Sequence, residues 1–252
     1  MKISHLEKGN GSHLVFLHGI GGSAASWHWQ IDEFSRTHHA IAWDAPGYGE
    51  SEPILDVTIA TFAQALHQFL QEQQIERPIL VGHSLGGMIV QEYLATFPGK
   101  TSKVVLYSTS PAFGRRDGEW QQEFVRARLG PLDEGRTMPE IAPEIVQKMV
   151  GSAATVAGIE LATRCMAATS AATYRASVLS LLNFDRRDNL GKIDVPCLCI
   201  TGAEDTNAPA PMMEKMAAKI PGAQFQVLPG LGHLAHMENP ILFNDCVRTF
   251  IG

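Results

Sequence analysis

Ser84 lies in Gly82-His83-Ser84-Leu85-Gly86, between an apolar run over residues 78–81 and a segment of helical period that starts at Leu85. A nucleophile presented on a sharp strand-to-helix turn adopts strained dihedrals, and its neighbours two residues away must lack Cβ for the chain to pass closely. Serine is a poor nucleophile at neutral pH, so it needs a base, and the base needs an acid to orient it. Asp205 follows Gly202-Ala203-Glu204 beyond the apolar run 195–200, and His233 follows Gly232 beyond the run 224–228 and a Pro229-Gly230 turn. Glu204 and Asp188 are rival acids, both read as solvated because charged residues near loops usually are. The chemistry of such a set is attack on a carbonyl by Ser84, with His233 taking the proton and Asp205 holding the imidazole.

These three residues converge only if the runs before them are neighbouring strands. Short β-branched or Leu-rich runs at 13–17, 40–43, 78–82, 103–107, 195–200 and 224–228 alternate with segments of helical period at 23–36, 58–74, 85–97, 208–220 and 240–251. That alternation predicts an α/β fold with a mostly parallel sheet flanked by helices. Residues 3–8, followed by Gly9-Asn10-Gly11, read as an added antiparallel strand and tight turn, for about seven strands in all. Residues 111–190 contain no strand-like run, only helical patterns rich in Ala, Met and Arg. The expected division is a core of 1–110 and 191–252 interrupted by a helical cap, or lid, of 111–190 that forms the second wall of a pocket. The methionines of this insertion, among them Met138, Met149 and Met166, read as adaptable packing.

Composition bounds what such a pocket serves. The chain has 252 residues, 45% of them hydrophobic and 18% charged, the balance of a globular protein large enough for a complete core without disulfides or metal. Lys and Arg number 20 against 26 Asp and Glu, a net charge of −6 without a basic run, which argues against a nucleic-acid partner. The N-terminus has no apolar h-region and no apolar stretch approaches the roughly 20 residues that cross a bilayer, so no membrane partner and a cytoplasmic location are expected. Cys197 and Cys199 alternate in an apolar run and read as buried thiols; with Cys165 and Cys246 isolated, no metal is expected.

A competing reading starts at His18-Gly19-Ile20-Gly21-Gly22-Ser23-Ala24, where Gly19, Gly21 and Ala24 fit G-x-G-x-x-A after a strand, with Asp44 about 20 residues on as the ribose-binding acid of a dinucleotide fold. It leaves Ser84, Asp205 and His233 unexplained. Over nearly its whole length the chain resembles the α/β-hydrolase superfamily. The resemblance is carried by the His18-to-Gly22 loop, Asp44-Ala45-Pro46-Gly47-Tyr48-Gly49-Glu50-Ser51, Gly82-His83-Ser84-Leu85-Gly86-Gly87, Gly202-Ala203-Glu204-Asp205 and Gly232-His233. It implies an oxyanion hole made by the Ile20 and Leu85 N–H groups, no cofactor, and a structural role for Asp44. It also makes His18 and His83 bracing residues and prefers His233 over His236 as base.

Within the superfamily the length, lid and Asn189-to-Pro196 segment most resemble enol-lactonases of aromatic catabolism and small-molecule esterases. The expected function is a serine hydrolase of a small carboxylic ester or lactone. C–C hydrolases of meta-cleavage ring-fission products, cofactor-free haloperoxidases and a non-catalytic small-molecule binding protein are the alternatives. Trp27, Trp29, Trp120 and Arg164 are candidates for the pocket, and Arg115, Arg116, Arg164, Arg175, Arg186 and Arg187 for gripping an anionic substrate such as a carboxylate. The chain is expected to be a monomer or homodimer.

Overall fold

A computed structural model describes residues 1–114 and 118–252. The described residues form a seven-stranded sheet from β1 (His5–Lys8), β2 (His13–Leu17), β3 (His39–Trp43), β4 (Ile79–His83), β5 (Lys103–Tyr107), β6 (Cys197–Gly202) and β7 (Gln224–Leu228), in the order β1-β3-β2-β4-β5-β6-β7. Every pairing is parallel except β1 with β3. The first strand is antiparallel as expected, but it pairs with β3, His5 opposite Trp43, not with the strand that follows it in sequence. The turn at Gly9 therefore crosses to β2 at the far side of β3.

The central strands are apolar throughout because both faces of a parallel sheet are covered. Val15 and Leu17 of β2 face one side with α2 (Ile59–Glu72), α3 (Leu85–Thr96) and α8 (Ala210–Ala217). Leu14 and Phe16 face the other with α1 (His28–Phe34) and α10 (Pro240–Ile251). Cys197 and Cys199 share the first face, as their alternation requires. Two boundaries shift. Pro196 has no N–H to donate, and β6 starts after it; the helix expected at 23–36 begins as a 3₁₀ turn, Ala24–Trp27, before α1.

Between β5 and β6 lie α4 (Glu119–Asp133), α5 (Met138–Gln147), α6 (Val156–Ala168) and α7 (Ala171–Ser180). Their apolar faces make a cluster of their own, including Ile141, Val146, Leu161 and Met166, that also takes in Leu234 and Met237 beside His233. The insertion thus packs over the loops that leave the carboxyl ends of the strands.

Candidate active site

β4 ends at His83 and α3 begins at Leu85, so Ser84 alone makes the turn between them. Its φ is 51° and its ψ −113°, a conformation that costs a non-glycine residue about 1–3 kcal/mol and persists only under external constraint. The constraints are visible: the Ser84 N–H donates to the Tyr107 carbonyl at 3.0 Å, and the Thr109 hydroxyl donates to the Ser84 carbonyl at 2.7 Å. A Cβ on Gly82 would fall on the Gly86 carbonyl, and one on Gly86 would fall on the Leu17 carbonyl oxygen and 2.9 Å from that of His18. Gly82 therefore lets the elbow close on its own helix start, and Gly86 lets it press against the end of β2.

Asp205 leaves the end of β6, and His233 lies between β7 and the short α9 (Ala235–Glu238). His233 Nδ1 is 2.9 Å from Asp205 Oδ2, and both residues are buried. Asp205 Oδ1 accepts from the N–H groups of Asn207 and Ala208 at 2.8 and 2.9 Å. Burial pushes the Asp205 carboxyl up, but the His233 charge and hydrogen bond and the Ala208 amide outweigh it and hold it below the ordinary aspartate value. An ionised carboxylate only accepts, so the tautomer of the neutral ring carries its hydrogen on Nδ1 and presents a lone pair at Nε2.

The His233 backbone is fixed as closely as its ring. Its N–H donates to the Met149 carbonyl at 2.7 Å, and its carbonyl accepts from His83 Nε2 and the Tyr107 hydroxyl, each at 2.9 Å. Burial holds the His83 imidazole well below the usual histidine range, so it stays neutral and gives its single N–H to that carbonyl. Glu238 is completely buried, and its carboxylate accepts N–H groups from Gly151, Gly232 and Leu234 at 2.7 to 2.8 Å. Sequence reading passed over Glu238, whose only signal is a carboxylate five residues beyond the Gly-His pair. His236 is buried too, and its pKa is pushed down to about 3 by burial; no hydrogen-bond partner reaches its Nε2 among the described residues.

Before Ser84 in sequence, the Ile20 loop turns on a Gly22 N–H to Gly19 carbonyl bond of 3.0 Å. His18 Nε2 accepts the Ala45 N–H at 3.0 Å, which leaves Nδ1 to donate to the Gly19 carbonyl at 2.8 Å, and burial keeps the ring neutral for both tasks. Ile20 lines the same cavity as Ser84, and Leu85 supplies the first N–H of α3, where backbone donors lack intrahelical partners. Asp44 is occupied within the fold: one oxygen accepts the Ala24 N–H at 2.7 Å, the other the Ser4 hydroxyl at 2.9 Å. A ribose would have to displace both.

Ser84, His233 and Ile20 open onto a cavity of about 530 Å³ whose other wall includes Phe124, Arg128, Met149, Met166, Tyr174 and Val178 of the insertion. Of the four residues expected in a pocket, Trp120 lines it while half exposed. The other three do not. Trp27 is fully buried on the opposite face of the sheet, its ring 4.1 Å from that of His236 and 5.0 Å from that of Phe16. Trp29, two residues after Trp27, packs against the insertion cluster, and Arg164 is exposed on α6. Arg175 and Arg186 are engaged with Asp133 and Glu92, Arg187 lines the cavity but pairs with Asp185, and Arg115 and Arg116 lie outside the described residues. Glu204 binds Ser152 of the insertion at the surface, and Asp188 is exposed.

Among the described residues no group of three or more His, Cys, Asp or Glu side chains is placed to hold a metal ion, and no helix is long and apolar enough to cross a membrane. A pimeloyl-[acyl-carrier protein] methyl ester esterase of Aeromonas salmonicida is 26% identical over the full length of both chains. An esterase from Thermogutta terrifontis shares the fold with a TM-score of 0.89 at 24% identity, over 99% of this chain and 92% of the other. The enol-lactonase from Burkholderia xenovorans LB400 superposes with a TM-score of 0.85 at 20% identity, over 99% and 96%. The model of the alpha/beta hydrolase family matches residues 14–245, so the elbow at Ser84, the Asp205 loop and the His233 loop all lie within the matched span, and the chain belongs to that family.

Proposed function

We propose that the protein is a serine hydrolase that cleaves a small carboxylic ester or lactone through an acyl-enzyme. The observation that carries this reading is the Asp205–His233 pair, 2.9 Å between Oδ2 and Nδ1, whose histidine lines one cavity with a serine held at positive φ. Ser84 Oγ attacks the substrate carbonyl as His233 Nε2 takes its proton, Asp205 stabilises the imidazolium, and the Ile20 and Leu85 N–H groups receive the oxyanion. His233 then returns the proton to the departing alkoxide, which in a lactone stays tethered to the acyl group. Water, deprotonated by the same histidine, releases the acid and restores Ser84.

Ester and lactone chemistry is supported further by the relatives whose names are esterase and enol-lactonase. Replacing the nucleophile of such a set costs about 10⁶ in turnover. Ser84→Ala is therefore expected to fold normally, to lose hydrolysis of p-nitrophenyl esters and enol-lactones, and to lose labelling by a fluorophosphonate. A folded Ser84→Ala protein that still hydrolyses these substrates rules the mechanism out, and a strong preference for a vinylogous 1,5-diketone assigns it to C–C hydrolysis instead.

A further inference from the structure

The cavity that Ser84 faces contains no acidic side chain among its described lining residues, while four basic ones reach it: Arg128, Arg187, Lys215 and Lys219. Three of the four have ordinary occupations. Arg187 is paired with Asp185, and Lys215 and Lys219 are exposed at the rim, where water solvates the ammonium groups. Arg128 differs. It is half-buried on α4, its guanidinium lies over the Phe124 ring at 5.2 Å from the centroid, and its Nη1 approaches the Met149 sulfur at 3.8 Å. No carboxylate pairs with it among the described residues. A guanidinium brought this far from water without an anion is an incomplete ion pair.

A second polar group meets it there. Tyr174 of α7 is 1% exposed and lines the same cavity, yet its hydroxyl hydrogen has no acceptor among the described residues, the Arg128 guanidinium beside it being itself only a donor. Burial pushes the Tyr174 phenol up, with the positive charge of Arg128 and a hydrogen bond from it opposing, so it remains an O–H donor at neutral pH. Buried phenols ordinarily find a partner. One donor with no acceptor and one cation with no anion, on facing helices of an otherwise apolar wall, call for the same thing: a ligand carboxylate. Met149 relates this point to the reaction centre, since its sulfur touches Arg128 while its carbonyl holds the His233 N–H.

We propose that Arg128 and Tyr174 form the subsite for a carboxylate carried by the substrate, and hence that the preferred substrates are monoanionic esters or lactones derived from dicarboxylic acids. The catalytic half of this proposal rests on the serine-hydrolase reading; the binding half does not. The first experiment measures calorimetric binding of the monomethyl esters of succinate, glutarate and adipate to Ser84→Ala protein, with and without Arg128→Met. At least one ester is expected to bind and to weaken about 10- to 100-fold on loss of the charged donor, with a smaller loss for Tyr174→Phe. Equal affinity with and without Arg128 for all three esters overturns the proposal, as does failure of all three to bind.

The second experiment compares kcat/KM for each monomethyl ester with that for its dimethyl ester in the otherwise native enzyme. Arg128→Met is expected to remove the preference for the anion through KM, the monomethyl ester losing at least about tenfold more than the dimethyl ester, while Arg128→Lys, a point charge in place of a fork, falls between. Equal losses on both esters make Arg128 a packing residue and overturn the proposal. Should the enzyme hydrolyse neither ester and resist fluorophosphonate while the calorimetric difference holds, the hydrolase reading fails and the carboxylate subsite stands.

Discussion

At the scale of single residues, His233 is held through three of its atoms: Nδ1 by Asp205, the N–H by the Met149 carbonyl, and the carbonyl by His83 and Tyr107. Behind it Glu238 gathers three backbone N–H groups on both sides of the loop, from Gly151, Gly232 and Leu234. Burial pushes the Glu238 carboxyl above the ordinary glutamate value, and the three amides pull it back only in part. The native state therefore binds more protons here than the unfolded chain, so this group's contribution to stability declines as pH rises from about 4.5 through the raised folded value. Glu238→Gln abolishes that slope but offers one acceptor oxygen to three donors. The unsatisfied amides outweigh the relieved charge, and the variant is expected to be less stable at pH 7 by about 1–3 kcal/mol, with reduced kcat as the His233 loop loosens. Thermal unfolding at several pH values measures both effects; an unchanged melting temperature at pH 7 contradicts the assignment.

At the scale of elements, what the sequence disclosed is what local chemistry dictates. Seven strands and the alternating helices were legible because apolar runs buried on both faces are unbroken and the helical segments keep their period. The turn at Ser84 was legible because Gly82 and Gly86 have a steric reason. The partner of β1 was not, since pairing with β3 is decided by the register of Glu7 opposite Ile41, a long-range match with no local signature. Nor were the directions of Trp27 and Trp29, because the segment opens as a 3₁₀ turn rather than an uninterrupted α-helix, nor that of Arg164, since the covered face of α6 is set by the helices packed on it. Arg128 was missed for a related reason: only its spacing of four from Phe124 places it on the inner face of α4, and the identity of that face depends on the neighbouring helix. The elbow offers the sharpest test at this scale. Gly86→Ala sets a methyl group against the backbone carbonyls of Leu17 and His18, which cannot yield as a flexible side chain would. The expected cost is about 1–3 kcal/mol or more, read from denaturant midpoints, together with a loss of activity as Ser84 shifts. A variant as stable and active as the parent shows that the elbow does not press on β2.

At the scale of the molecule, the net charge of −6 and the absence of acidic side chains among the described residues that line the cavity make opposite demands on an anionic substrate. The acidic excess is spread over the surface, where charges more than about 10 Å away are screened at 0.1 M salt. The cavity's cations act at short range between low-dielectric walls, which focus their field on whatever enters. Local attraction is therefore expected to prevail over the global repulsion. Its signature is the sign of the salt dependence: between 0.02 and 0.5 M NaCl, kcat/KM for a monoanionic ester should fall several-fold while that for the matched neutral diester stays level. Were the overall charge in control, screening would instead raise the rate for the anion. Parallel changes for both esters mean that neither field acts on the substrate, and that the basic residues of the cavity serve its walls rather than its ligand.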